Sequence, residues 1–204
     1  YHPDRLKYPM RRTGARGGQY DGIAAFDEEA RTVTVEPGIV LDALNAWLKP
    51  RGLWFPVDVS TSAQCTLGGM AGNNSCGSRS IAFGNMVHNV LAIDALLADG
   101  TEATFGNEAA MQGAPPRVRT LVEGLRAIGE RERDEIADKV PRVLRRVGGY
   151  NLDAFVHADQ PVDLSRIIVG SEGTLGFVLE ATIGLVPLPA ARMTSVGVSL
   201  ATPP

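Results

Sequence analysis

The interpretation of this chain rests on the stretch Thr66-Leu67-Gly68-Gly69-Met70-Ala71-Gly72-Asn73-Asn74-Ser75-Cys76-Gly77-Ser78. It contains four glycines within ten residues, no charged side chain, and several small hydroxyl and amide groups. Glycine lets backbone N–H groups approach a ligand closely, and successive amides in such a turn form a concavity that binds pyrophosphate. A flexible linker is also rich in glycine and serine. The apolar residues Leu67, Met70, Ile81 and Phe83 between and after the glycines favour a nucleotide cradle over a linker.

Composition and charge limit the classes of protein to which this chain can belong. The chain has 204 residues, of which 44% are hydrophobic and 21% charged, as in an ordinary soluble globular protein. That length suits one substantial domain or two small lobes that share a core. A net charge of -3 argues against a nucleic-acid surface, and no apolar run is long enough to span a membrane. We therefore expect a cytoplasmic protein with no nucleic-acid partner and no membrane span.

The cysteines and histidines do not indicate a metal site or a catalytic group. Cys65 and Cys76 lack a Cys-x-x-Cys spacing, so the sequence predicts neither a zinc site, nor a disulfide framework, nor an iron–sulfur cluster. We interpret Cys76 as a small packing residue. His2, His88 and His157 have no metal-ligand spacing and are interpreted as structural or surface residues. The catalytic residues stay unknown at this point.

Hydrophobic periodicity predicts the main elements in the first half of the chain. Alternation predicts a strand over 31–35, and helical spacing predicts an amphipathic helix over 40–53. The apolar run 89–98 is followed by Asp99-Gly100, which is typical of a hairpin turn, with a partner strand over 101–105.

The second half of the chain alternates between a charged helix and short apolar runs. A long solvent-facing helix is predicted over 118–140, with the basic cluster Arg142–Arg146 at its solvated end. Strands are predicted over 167–170, 177–185 and 193–200, and a loop over 1–20. Hairpins mixed with helices, without regular βαβ alternation, predict an α+β fold rather than a doubly wound sheet.

Four segments, in the same order, resemble the FAD-linked oxidases of the vanillyl-alcohol-oxidase type. They are the glycine-rich stretch 66–78, Val35-Glu36-Pro37-Gly38, Gly148–Leu152 and Gly170–Gly176. The family includes D-lactate, glycolate and D-2-hydroxyglutarate dehydrogenases. The sequences of residues 75–85 and 145–153 are most similar to those of large bacterial members that carry a fused iron–sulfur segment.

The resemblance implies a domain with non-covalent FAD and two α/β lobes over residues 1–190. Residues 191–204 are expected to begin the connection to a substrate (cap) domain that is absent from this sequence. The family opens with an Arg-Gly-Gly-Gly-Thr phosphate loop, but this chain offers only Gly14-Ala15-Arg16-Gly17-Gly18. We therefore expect an incomplete first phosphate loop, with residues 1–20 poorly ordered or truncated. An iron–sulfur cluster is possible only in parts of the polypeptide outside this sequence.

The resemblance also assigns the residues expected to contact the flavin. Asn73 and Asn74 suit flavin carbonyls or ribitol hydroxyls, although a turn with side chain–backbone hydrogen bonds would explain them too. Glu172 is expected to be structural rather than a general base, and Arg79 to face phosphate or solvent. The full set of expected cofactor contacts is Pro56, Asp58, Ser60, Thr61, Thr66, Gly68, Gly69, Asn73, Asn74, Ser75, Gly77, Ser78, Phe83, Gly84, Gly173 and Phe177.

The function implied by the resemblance is oxidation of a D-2-hydroxy acid by hydride transfer to FAD, with an electron acceptor that the sequence does not identify. Two alternatives stay open. The chain could serve another alcohol or sugar oxidoreductase, or it could be a non-catalytic nucleotide-binding fragment. Because no base is assigned here, we expect the 204-residue chain alone to lack turnover.

Overall fold

The strands form one antiparallel sheet and a smaller one. The computed structural model describes residues 21–157 and 160–189. Strands in these ranges are β1 (Ile23–Asp27), β2 (Thr32–Val35), β3 (Leu53–Trp54), β4 (Val90–Leu96), β5 (Glu102–Gly106), β6 (Phe177–Gly184) and β7 (Val186–Pro187). The larger sheet has the order β1-β2-β6-β4-β5, and β3 pairs with β7. The late strand β6 therefore lies between β2 and the β4–β5 hairpin, so both ends of the described chain contribute to one sheet.

Seven helices and two 3-10 turns connect these strands in the described ranges. The helices are α1 (Leu41–Leu48), α2 (Leu67–Gly72), α3 (Ser80–Phe83), α4 (Met86–Asn89), α5 (Pro116–Arg131), α6 (Arg133–Lys139) and α7 (Ser165–Ile168). The 3-10 turns cover Lys49–Arg51 and Leu152–Phe155. Short helices dominate the glycine-rich middle of the chain, and the two longest helices are α5, with 16 residues, and α1, with 8 residues.

The core consists of the apolar faces of helices and strands. Leu44 and Leu48, one helical turn apart on α1, are fully buried, as are Val33 and Val35, which alternate on β2. Each such aliphatic side chain contributes about 1.5–3 kcal/mol when it leaves water. The mixture of antiparallel strands and helices confirms the predicted α+β class.

Several predicted elements are confirmed. The strand over 31–35 is β2, the amphipathic helix over 40–53 is α1 with its following 3-10 turn, and the 177–185 strand is β6. The hairpin is β4–β5, in which Leu96 pairs with Glu102 across the turn. The strand predicted over 193–200 and the loop over 1–20 lie outside the described residues.

Three predictions for the second half were wrong in whole or in part. The strand over 167–170 is wrong, because Ile167 and Ile168 belong to the one-turn helix α7 and a turn follows at 169–170; the N–H of Val169 donates to the carbonyl of Ser165 at 2.9 Å. A short apolar run does not distinguish a buried strand from a buried helical turn. The helix over 118–140 is interrupted at Glu132, where α5 ends and α6 begins.

The basic cluster Arg142–Arg146 is not a solvated helix end. Helix α6 ends at Lys139, and the cluster follows in irregular structure. The Arg146 side chain is only 19% exposed, and its guanidinium pairs with Asp153 at 2.5 Å. A partner that lies seven residues away in a non-helical turn has no periodic signature in the sequence, so the pairing could not be predicted.

Candidate cofactor-binding site

The first half of the glycine-rich stretch is a helix rather than an open turn. Thr66 caps α2, because its side-chain oxygen accepts a hydrogen bond from the Gly69 N–H at 3.3 Å. The Gly68 N–H donates to the carbonyl of Pro37 at 2.8 Å. A Cβ at Gly68 would lie 2.5 Å from the Pro37 Cβ, so glycine is required there by the close approach of another segment. The amides of Gly68 and Gly69 are thus used within the protein.

The second glycine-rich turn is bonded directly to this helix. The Gly170 N–H donates to the carbonyl of Ala71, and the Glu172 N–H donates to that of Gly72, both at 2.9 Å. Glu172 has a φ of 53° and therefore sits in the left-handed region, where its amide can turn toward α2. The two glycine-rich segments, about a hundred residues apart in sequence, form one continuous wall.

A cleft of about 460 Å³ lies between these segments. Five of the sixteen residues expected to contact the cofactor line it: Thr66, Gly68, Gly69, Gly173 and Phe177. Cβ atoms added at Gly72 or Gly173 would meet nothing within 4 Å. At these two positions the wall of the cleft is therefore uncharged backbone with open space beside it. A phosphate-bearing ligand can approach backbone N–H groups on such a surface.

Other residues that line the cleft were not selected from the sequence. They are Pro37, Gly38, Gly72, Ile168, Ser171, Gly176 and Val178. Most of them belong to the Pro37-Gly38 segment and to the second glycine-rich turn, both of which carry the family resemblance. That resemblance was the available signal, and extending the set to all glycines of these segments would have found Gly38, Gly72 and Gly176.

The second half of the glycine-rich stretch is held in place by Asp58. One carboxylate oxygen of Asp58 accepts the Ser78 hydroxyl at 2.6 Å, and the other accepts the Arg79 N–H at 2.9 Å. A Cβ at Gly77 would lie 1.7 Å from the Asp58 carbonyl oxygen, so only glycine fits there. In this structure Asp58, Gly77 and Ser78 contact each other and fix the loop that follows α2.

The paired asparagines differ in their surroundings. Asn74 is buried, its side-chain oxygen accepts the Val87 N–H at 3.0 Å, and its amide donates to the Arg146 carbonyl at 3.4 Å. Its side chain therefore links the loop after α2 to distant backbone groups rather than closing a local turn. Asn73 is exposed, and its side-chain oxygen accepts the Ser75 hydroxyl at 2.6 Å.

The remaining expected contacts lie away from the cleft. Pro56 is buried beside β3, while Ser60 and Thr61 are exposed in the turn that precedes α2. Phe83 makes an edge-to-face contact with Trp54, with ring centroids 5.8 Å apart. Gly84, with a φ of 75°, ends α3.

Several polar groups near these loops have structural contacts. The Arg79 guanidinium lies 4.5 Å from the ring centroid of Trp54, in cation–π geometry. The Nδ1 atom of His88 accepts the Asn85 N–H at 3.0 Å. Burial and the positive charge of Arg166 lower the pKa of His88, so its imidazole is neutral at pH 7. Burial raises the pKa of the Cys65 thiol.

A comparison with protein families identifies the ligand of this region. Residues 16–106, which include α2 and the loop after it, match the family described as "FAD binding domain". This part of the chain is an FAD binding domain. Its residues 16–20 lie outside the described ranges.

Curated relatives cover more of the chain. The chain is 37% identical over 177 residues to "D-2-hydroxyglutarate dehydrogenase" of Pantoea ananatis, and 34% identical over 182 residues to the protein of that name in Escherichia coli. Each match covers 83% of this chain and 17% of the relative. The chain therefore spans about a sixth of the length of these relatives.

A solved structure supports the fold of the FAD binding domain. Alkyldihydroxyacetonephosphate synthase matches with a TM-score of 0.53 and 18% identity, over 84% of this chain and 22% of that one. At this identity the likeness concerns the fold alone, which is the vanillyl-alcohol-oxidase type expected from the sequence. Of the helices in residues 21–157 and 160–189, none is both long and apolar enough to cross a membrane.

The residues present fit FAD. The wall at Gly72 and Gly173 leaves room where any side chain would project into the cleft. Within the described residues the Gly173 N–H has no hydrogen-bond partner, so it is available to an anionic ligand. The absence of carboxylates from the cleft lining also suits a pyrophosphate. Among the described residues, no group of three or more His, Cys, Asp or Glu side chains could hold a metal ion.

Proposed function

We propose that this chain is the FAD-binding part of a flavin-dependent dehydrogenase that oxidises a D-2-hydroxy acid. The observation that carries the proposal is the match of 83% of the chain to dehydrogenases named for D-2-hydroxyglutarate, at up to 37% identity. A relative named "Probable D-lactate dehydrogenase, mitochondrial" is 32% identical over 174 residues. The substrate class shared by these names is a 2-hydroxy acid.

The described residues would hold the cofactor in a fixed orientation. FAD, when bound, supplies the two-electron acceptor for oxidation of a hydroxyl-bearing carbon. The cleft between α2 and the second glycine-rich turn would take the phosphate-bearing part, with the Gly173 N–H as a donor. Asp58 would keep the loop 77–80 in one conformation, so that the cofactor does not have to order it on binding.

The chain supplies no assigned base for the substrate hydroxyl. His88 and His157 both line a different cavity, and neither lines the glycine-walled cleft. We therefore infer that the base and the groups that bind the substrate carboxylate belong to further parts of the polypeptide, as does the route to the electron acceptor. We propose a cytoplasmic location and FAD held without a covalent bond.

The first experiment tests cofactor binding with a matched pair of glycine variants. Gly72→Leu should weaken FAD binding at least tenfold, because its side chain would enter the cleft without meeting any protein atom within 4 Å at Cβ. Gly124→Leu is the control, since Gly124 is also helical and has nothing within 4 Å of its Cβ, but is not among the cleft residues. Quenching of FAD fluorescence measures both. Equal FAD affinity in the two variants would contradict the assignment of the cleft.

The second experiment tests the reaction. The 204-residue chain, refolded with excess FAD, should reduce no dye with D-lactate or D-2-hydroxyglutarate. A longer polypeptide that contains this chain should reduce dye with one of these acids. If the longer polypeptide binds FAD but oxidises only other alcohols or sugars, the substrate class is wrong. A colourless folded polypeptide that cannot take up FAD would instead favour the non-catalytic alternative.

A further inference from the structure

A second cavity, of about 900 Å³, lies on a different face of the described chain. Its walls come from the α3–α4 region, from α6 with the irregular segment 140–146, and from residues around Asp153 and Arg166. It shares no lining residue with the glycine-walled cleft. Of the sixteen residues expected from the sequence to contact the cofactor, Gly84 alone lines this cavity, and we assign the cavity no part in FAD binding.

The cavity lining carries an excess of positive charge. Four arginines line it, namely Arg133, Arg142, Arg146 and Arg166, against the two carboxylates of Asp134 and Asp153. Asp153 is already paired with Arg146. Arg166 has only a long contact of 3.9 Å to Asp163, so most of its guanidinium N–H donors are available.

His88 adds a neutral donor beside these cations. Its Nδ1 accepts the Asn85 N–H at 3.0 Å, so the proton of the neutral imidazole is on Nε2. Nε2 has no hydrogen-bond partner in the described part of the chain. His88 and Arg166 are close enough for the guanidinium charge to act on the imidazole. The two side chains thus offer N–H donors to the same region of the cavity.

The lining also carries large apolar side chains that are open to solvent. Ile81 is 72% exposed, Val143 61% and Leu144 77%, and all three line the cavity. Large aliphatic side chains with this exposure, grouped around one opening, mark a binding surface rather than scattered surface residues. A ligand that matched both parts of the lining would place an anionic group at Arg166 and His88 and an apolar body against these side chains.

We infer that this cavity binds an organic oxyanion, a molecule with a carboxylate or phosphate group on an apolar body. Guanidinium and imidazole N–H groups are donors suited to either head group, and charge-assisted bonds of this kind are the stronger ones. The inference does not depend on the proposed dehydrogenase activity, because it uses none of the residues of the FAD cleft.

The test compares anionic and neutral probes of the same shape on the 204-residue chain. We expect saturable binding of 2-naphthoate or 2-naphthyl phosphate in a fluorescence titration, and binding of neutral 2-naphthamide at least tenfold weaker. Whichever oxyanion binds more tightly identifies the preferred head group. Equal binding of the amide, or no saturable binding of either oxyanion, would overturn the inference without any variant being needed.

Two variants locate the binding. Arg166→Gln should weaken binding of the oxyanion roughly tenfold, whereas Arg119→Gln, at an exposed arginine on α5 outside the cavity, should change it less than about twofold. Similar losses in both would show general attraction to positive charge and would refute the site. The Gly72→Leu variant should bind the oxyanion normally, and loss of binding there would place the probe in the FAD cleft instead.

Discussion

Removal of the Asp58 carboxylate should loosen the loop that follows α2. In Asp58→Ala, the Ser78 hydroxyl and the Arg79 N–H both lose their acceptor. The Asp58→Asn variant keeps an oxygen for the Arg79 N–H and removes the charge. Comparison of the two variants therefore separates the effect of the hydrogen-bond acceptor from the effect of its negative charge.

The size of the effect follows from the two bonds. A hydrogen bond to a charged group contributes about 1.5–3 kcal/mol, and two that share one carboxylate are not additive. Asp58 is half-buried, and the freed Ser78 hydroxyl is exposed and can bond to water. We therefore expect Asp58→Ala to lower the free energy of unfolding by about 2 kcal/mol and Asp58→Asn by about 1 kcal/mol. For a chain of this size, 1 kcal/mol corresponds to about 2–4 °C in Tm.

Two measurements check this expectation. Urea unfolding followed by circular dichroism gives the free energies, and FAD titration of the folded variants gives the cofactor affinity. The Kd for FAD should rise more in Asp58→Ala than in Asp58→Asn, because only the alanine variant frees the loop at both bonds. If Asp58→Ala unfolds within about 0.5 kcal/mol of the parent chain, the carboxylate does not hold the loop and the reasoning is refuted.

Three further predictions use other parts of the structure. Gly129→Ala should destabilise the protein by about 1–3 kcal/mol, because its Cβ would lie 2.1 Å from the Phe155 carbonyl oxygen, whereas Gly124→Ala should stabilise α5 by about 0.5–1 kcal/mol. Thermal melting compares the two variants, and equal changes in Tm would contradict the close packing at Gly129. Because the pKa of His88 is lowered from 6.5, the folded state resists protonation of this imidazole, and the free energy of unfolding should fall as the pH drops below 6.5. His88→Asn should flatten the dependence of the urea midpoint on pH in this range, and an unchanged slope would refute the lowered pKa of His88. Burial raises the pKa of Cys65, so its alkylation by iodoacetamide at pH 8 should be slower than that of a cysteine in an unstructured peptide. Mass spectrometry measures both rates, and equal rates would contradict the raised pKa.

The parts of the fold that sequence reasoning predicted are those set by local chemistry. Asp99-Gly100 predicts a hairpin because glycine accepts the positive φ that the turn needs, and Gly100 has a φ of 83°. The spacing of Leu41, Leu44 and Leu48 predicts α1 because one helix face must be apolar to pack on a sheet. These signals are contained in a few neighbouring residues.

The parts that could not be predicted depend on contacts between distant segments. Residues 167–170 contain β-branched apolar side chains that suit a strand, yet they form the end of helix α7 and the turn in which the Gly170 N–H donates to Ala71. Likewise, the Leu67–Gly72 run has three glycines, which are poor helix formers, but becomes helical because Thr66 caps it and Pro37 accepts the Gly68 N–H. Tertiary bonds override local propensity at both places.

The same tertiary bonds explain why the lining of the cleft between the two glycine-rich segments was only partly predicted. Each glycine-rich segment can be recognised alone, but the cleft exists only because the amides of Gly170 and Glu172 donate to the end of α2. Gly68, Gly72 and Gly173 all line this cleft, but a Cβ at Gly68 would meet Pro37, whereas a Cβ at Gly72 or Gly173 would meet nothing within 4 Å. A glycine that serves the ligand and a glycine that serves packing look identical in a sequence. The space around the missing Cβ distinguishes them, and that space depends on which distant segment packs there, as Pro37 does at Gly68.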